Sequence, residues 1–153
     1  MAGGKIMWAN IGKSIILTFV ISICCAILSF LVAPLLDKFL SAGITGSLVI
    51  LLASLGAYVA GAKLLLNNQS SWLLDLFSVI TVPVLVGFPI ETLGSPPYGT
   101  TLTLYNSLFA PLEKIAHHFS SHILNNSSVL VLEVLLPPLL MWAGLIWKRT
   151  TSK

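Results

Sequence analysis

Four long apolar stretches alternate with short polar ones along the chain. No charged residue occurs from Ser14 to Leu36 or from Ile44 to Ala62, and Trp72–Ile90 and Ser127–Trp147 carry one acid each, Asp75 and Glu133. A helix rising 1.5 Å per residue needs about 20 residues to cross a hydrocarbon core of about 30 Å. The pattern therefore predicts an all-α integral membrane protein with four transmembrane helices, over about 14–36, 44–66, 72–90 and 127–147. The first is expected to be a retained span, because the apolar part of a signal peptide is shorter and no small-x-small cleavage site follows it.

Residues 91–126 break the pattern. Gly94, Ser95-Pro96-Pro97 and Gly99 give the first part turn chemistry. From Leu104 to Leu124 the period becomes helical. Leu104, Leu108, Leu112, Ile115, Phe119 and Ile123 share one face, opposite Asn106, Glu113, Lys114, His117 and Ser121. An amphipathic helix lying in the membrane interface is expected over about 104–124, within an external loop of a single polytopic membrane domain.

Composition agrees. Of 153 residues 56% are hydrophobic and 8% charged, against about a quarter charged in soluble domains. Such a chain cannot cover a water-facing surface, so its main partner is the lipid bilayer. The formal charge is +3, without a basic cluster suited to nucleic acid. Cys24 and Cys25 are neighbours in an apolar run, with no ligand-type spacing.

Charge placement sets the expected threading. With four spans, six of the eight cations (Lys5, Lys13, Lys63, Lys148, Arg149 and Lys153) fall on one side, and Lys38 and Lys114 on the other. The positive-inside rule puts both termini in the cytoplasm and residues 91–126 outside, in a plasma (inner) membrane. Lys63 and Asp75 then lie at similar depth on two arms of a hairpin, and a structural ion pair between them is expected.

Small residues suggest how the spans pack. Ser14, Thr18, Ser22, Cys25 and Ser29 recur at helical spacing in the first span, and Ala53, Ala57 and Gly61 in the second. Close helix approach through small and hydroxylated side chains is the expected use of both faces. The first two spans are expected to meet through Ser22, Cys25 and Ser29 on one side and Ala53, Ala57 and Gly61 on the other. The second-span face is also suited to a homo-oligomer.

The candidate chemistry centres on Glu133. It sits about 9 Å inside its span at 1.5 Å per residue. Pro137 and Pro138 lack the N–H groups that would bond the Glu133 and Val134 carbonyls, and Pro83 does the same for Val79, near Thr81. Glu133, Thr81, Pro83, Pro137 and Pro138 thus form a candidate site for an ion, proton or polar substrate. The competing expectation is a structural acid hydrogen-bonded at a proline kink. His118 and His122, at i and i+4 beside Glu113 and His117, are weak candidates for metal binding or a pH response. No metal site is expected, because no second ligand cluster exists, and no cofactor is expected. No catalytic constellation is present. The expected function is therefore a non-enzymatic assembly, accessory or regulatory membrane subunit, homo-oligomeric or bound to a larger membrane protein. The alternative is an oligomeric transporter or channel that uses Glu133.

Overall fold

The computed structural model describes residues 2–40, 45–82 and 126–152, and all its regular elements there are helices. They are α1 (Ala2–Leu31), α2 (Ala33–Leu40), α3 (Thr45–Leu65), α4 (Trp72–Val82) and α5 (Asn126–Thr151). Two stretches, Gly4–Leu36 and Thr45–Leu65, are long and apolar enough to cross a membrane. The interfacial helix expected over 104–124, with His118 and His122, lies outside the described residues, as do residues 83–90 of the third expected span.

The helix boundaries correct the sequence reading in two places. Helix α1 starts at Ala2, so the N-terminal segment before Ser14 is helical. Its 30 residues measure about 45 Å at 1.5 Å each, more than a bilayer core. At the other end the chain turns at Val32 and resumes as α2 through Asp37, where a connector was expected. The physical reason is Pro34. It has no N–H to give the Phe30 carbonyl, and the flanking bonds from Val32 N to Leu28 O and from Leu36 N to Val32 O carry the helix past it. Helix α4 starts on Ser71, whose Oγ accepts from Leu74 N at 3.3 Å, an N-cap at the third helical position. It is described as far as Val82, the residue before Pro83. Helix α5 runs unbroken through Pro137 and Pro138.

Four helices pack in the cyclic order α1–α3–α5–α4, each against two neighbours, and the diagonal pairs touch only marginally. The most extensive contact is α3 on α5. Leu17, Ile21, Cys25, Ile50, Tyr58, Ala62, Leu66, Val79, Met141 and Leu145 fill the centre.

The interior is not purely apolar. Ser14, Thr18, Ser22, Ser47, Ser54 and Ser78 are buried with it. A buried hydroxyl without a partner would cost roughly 1–3 kcal/mol. The helices supply partners themselves. Ser14 donates to Ile11 O, Thr18 to Ser14 O, Ser22 to Thr18 O, Ser54 to Leu51 O and Ser78 to Asp75 O, each at 2.8 Å. Hydroxyls bonded back to their own helix can sit in a helix interface without water. Cys25 is buried with them.

The packing faces divide differently from the sequence expectation. Ser22 and Cys25 are buried against the other helices. Ala53 and Ala57 are exposed, and α3 instead turns Ser47, Ile50, Ser54, Tyr58 and Ala62 inward. Gly61 touches α1 through Leu17, whose Cδ1 would lie 2.6 Å from a Cβ placed there. The closest backbone approach is elsewhere, at Gly144 of α5. A Cβ there would strike the Val59 carbonyl oxygen and lie 2.9 Å from the Ala62 Cβ and 3.2 Å from Lys63 N. Only glycine allows α3 and α5 this contact.

Candidate functional site

The densest polar cluster among the described residues closes one end of the bundle, where α3 ends and α4 begins. A helix C-terminus leaves carbonyls without intrahelical partners and carries a partial negative charge. Here side chains from α1 and α5 meet successive carbonyls of that terminus and the turn after it. Lys13 Nζ donates to Leu65 O at 2.9 Å and Lys148 Nζ to Leu66 O at 2.5 Å. Asn10 Nδ2 donates to Asn67 O at 2.7 Å, and Asn67 N donates back to Asn10 Oδ1 at 3.0 Å. Arg149 Nη2 donates to Gln69 O at 2.9 Å. Three cations and one amide thus hold the end of α3 and the turn after it, all reaching from other helices.

Asp75 is the anionic centre of this clasp. It lies in the first turn of α4, where a carboxylate meets the positive helix end, and its side chain is fully buried. Arg149 Nη2 lies 2.5 Å from its Oδ2, and Gln69 N donates to its Oδ1 at 2.7 Å. A carboxylate buried this deeply persists only with such partners. The expected pair of Asp75 with Lys63 is therefore corrected. Arg149 is the partner, and Lys63 Nζ lies 3.8 Å from the centre of the Trp147 ring, a cation–π contact. The reason is reach: Lys63 leaves α3 toward α5, whose last turn brings Arg149 to the α4 terminus. A tilted pair of rings, Trp72 and Trp142 with centres 6.0 Å apart, flanks the cluster. Trp142 Nε1 also donates to Trp72 O at 3.1 Å.

The proposed ion or proton site is not assembled by the described residues. Pro137 and Pro138 are buried in α5. Pro137 lines a cavity of about 10 Å³ with Leu51, Ser54, Leu55, Tyr58, Leu136 and Leu140, the size of one water molecule. Its walls are mainly apolar. Thr81 donates to Phe77 O of its own helix at 2.5 Å, so its hydroxyl serves α4. Glu133 is a residue of α5; its side chain and Pro83 lie outside the described residues. Among the described residues no three metal-ligating side chains come together.

Sequence reasoning missed Asn10, Gln69, Gly144 and the role of Arg149. A signal existed for Arg149, since four spans place it on the same side as Asp75 and guanidinium groups suit buried carboxylates better than ammonium groups do. None existed for Asn10, whose side chain bonds to backbone, or for Gln69, whose backbone carbonyl and N–H meet Arg149 and Asp75. No protein family, curated protein or solved structure matches this chain.

Proposed function

We propose that the chain is a four-span protein of the plasma (inner) membrane, with both termini in the cytoplasm, acting as a non-enzymatic assembly or accessory subunit. Its proposed spans are α1–α2, α3, the segment that α4 opens, and α5. The observation that carries the assembly reading is the outer face of α3. Ala53, Gly56, Ala57 and Ala60 recur at i, i+3, i+4 and i+7 and are all exposed, and nothing lies within 4 Å of a Cβ placed on Gly56. Leu48, Leu52 and Leu64 flank them, also exposed. In lipid a small-residue face allows a second helix to approach closely and gain dispersion and Cα–H contacts. The same face on water would be a liability. A copy of this chain or a larger membrane protein would fill it.

The test is association of labelled protein in vesicles, measured by energy transfer across protein-to-lipid ratios. Gly56→Leu and Ala57→Leu should each weaken association about tenfold, the equivalent of about 1.4 kcal/mol, without changing the thermal transition of the monomer. Unchanged association in both variants would remove α3 as the contact.

A transport reading has one observation in its favour, the buried proline pair in the helix that carries Glu133, which frees the Glu133 and Val134 carbonyls from helical bonding. Glu133→Gln decides it. A folded Gln variant that retains the wild-type response in a proton or sodium flux assay in vesicles, and complements a deletion strain, leaves only the assembly reading.

A further inference from the structure

We propose that the seam between α3 and α5 at the clasp end binds the headgroup of an anionic phospholipid, with Lys63 and Lys148 on its phosphate and Trp147 beside it. This rests on the membrane reading above. Among the described residues the charge at this end does not balance. Lys5, Lys13, Lys63, Lys148 and Arg149 are described there, and the one described acid, Asp75, is fully buried and taken by Arg149. Neither Lys63 nor Lys148 has a carboxylate within ion-pair distance among the described residues.

Both ammonium groups are already held in place. Lys148 donates one of its three N–H bonds to the Leu66 carbonyl, and Lys63 rests against the Trp147 ring. Both side chains are only partly buried, so the remaining donors can meet a ligand. Anchoring two long side chains in advance removes much of the ordering entropy that binding would otherwise cost. Trp147 is half exposed at the end of its helix, where an indole suits the headgroup layer. Two held cations, one on each helix of the seam, and an interfacial aromatic match a phosphodiester carrying net negative charge. They give a zwitterionic headgroup, whose choline cation they repel, no comparable advantage.

The experiment uses the full chain in vesicles of phosphatidylcholine alone and of phosphatidylcholine mixed with phosphatidylglycerol, with the lipid retained after detergent extraction quantified by mass spectrometry. Each lysine near an anionic lipid should favour it about fivefold, giving about twenty-fivefold enrichment of phosphatidylglycerol for the pair. Lys63→Gln with Lys148→Gln should abolish the enrichment, while Lys5→Gln should keep it. Should the double variant not fold, Lys63→Gln alone should lose about fivefold. Wild-type protein retaining both lipids in proportion to their supply overturns the proposal, and so does an enrichment that the lysine variants leave intact. Protein that floats with both vesicle types but shows no preference refutes only this inference. Protein that does not float with phosphatidylcholine vesicles refutes the membrane reading and this inference with it.

Discussion

Helix α3 has two faces built from similar small and apolar residues, and they have opposite fates. The inner face, with Ser47, Ser54, Tyr58 and Ala62, is buried, and Gly144 of α5 presses onto its backbone. The outer face, with Ala53, Gly56, Ala57 and Ala60, is exposed. In water such a contrast would show as apolar inside and polar outside. Here both faces are apolar, because the outer solvent is read as lipid, and hydrophobicity no longer distinguishes them. What does distinguish them is the hydroxyl groups and the clasp. Ser47 and Ser54 face the other helices, and the polar end residues fix how α3 is rotated within the bundle.

Four substitutions sharpen this contrast, from the largest effect to the smallest. Arg149→Ala leaves Asp75 fully buried with no cation, and breaking a buried pair in this way costs about 3–5 kcal/mol. A large fall in thermal stability in detergent is expected, and a transition close to wild type would mean that the clasp does not orient α3. Gly144→Ala drives a methyl group into the Val59 carbonyl. Overpacking of this kind costs about 1–3 kcal/mol, so the same assay should show a clear but smaller loss.

Gly61→Ala meets only the end of the Leu17 side chain, which can rotate away, and the loss should stay within about 1 kcal/mol. A loss at Gly61 equal to that at Gly144 would show that α1, and not α5, makes the closest approach to α3. Ala57→Leu should change monomer stability by no more than about 0.5 kcal/mol, the usual range for an exposed site, and act on association alone. Monomer unfolding by Ala57→Leu would mean that the outer face is covered within one chain.

Much of the fold was legible from residue pattern because lipid-scale helices need long uncharged runs. Thr45–Leu65 matches the second expected span within a residue at each end, and the turn before Trp72 falls between the second and third expected spans. The inward stripe of Ser14, Thr18, Ser22 and Cys25 was also legible, since small polar groups at helical spacing seek protein in a lipid setting. The start of α1 was not. Gly3, Gly4 and Gly12 argue against a helix locally, and the segment is held by Asn10 and Lys13 bonding to the far end of α3.

The amino-acid order by itself determined that this is a helical chain made of long apolar segments, which end of each segment carries the cations, and which positions are small. Those properties depend on transfer between water and lipid and on the 3.6-residue period, and each is local. Only the tertiary structure decided that Asp75 pairs with Arg149 and not with Lys63, that Gly144 and not Ala57 makes the closest approach, and that Lys63 lies on Trp147. Those choices depend on the rotation of each helix about its own axis. Rotating an apolar helix in an apolar solvent changes little free energy by itself, so a few hydrogen bonds and one close backbone contact between distant segments are enough to set it.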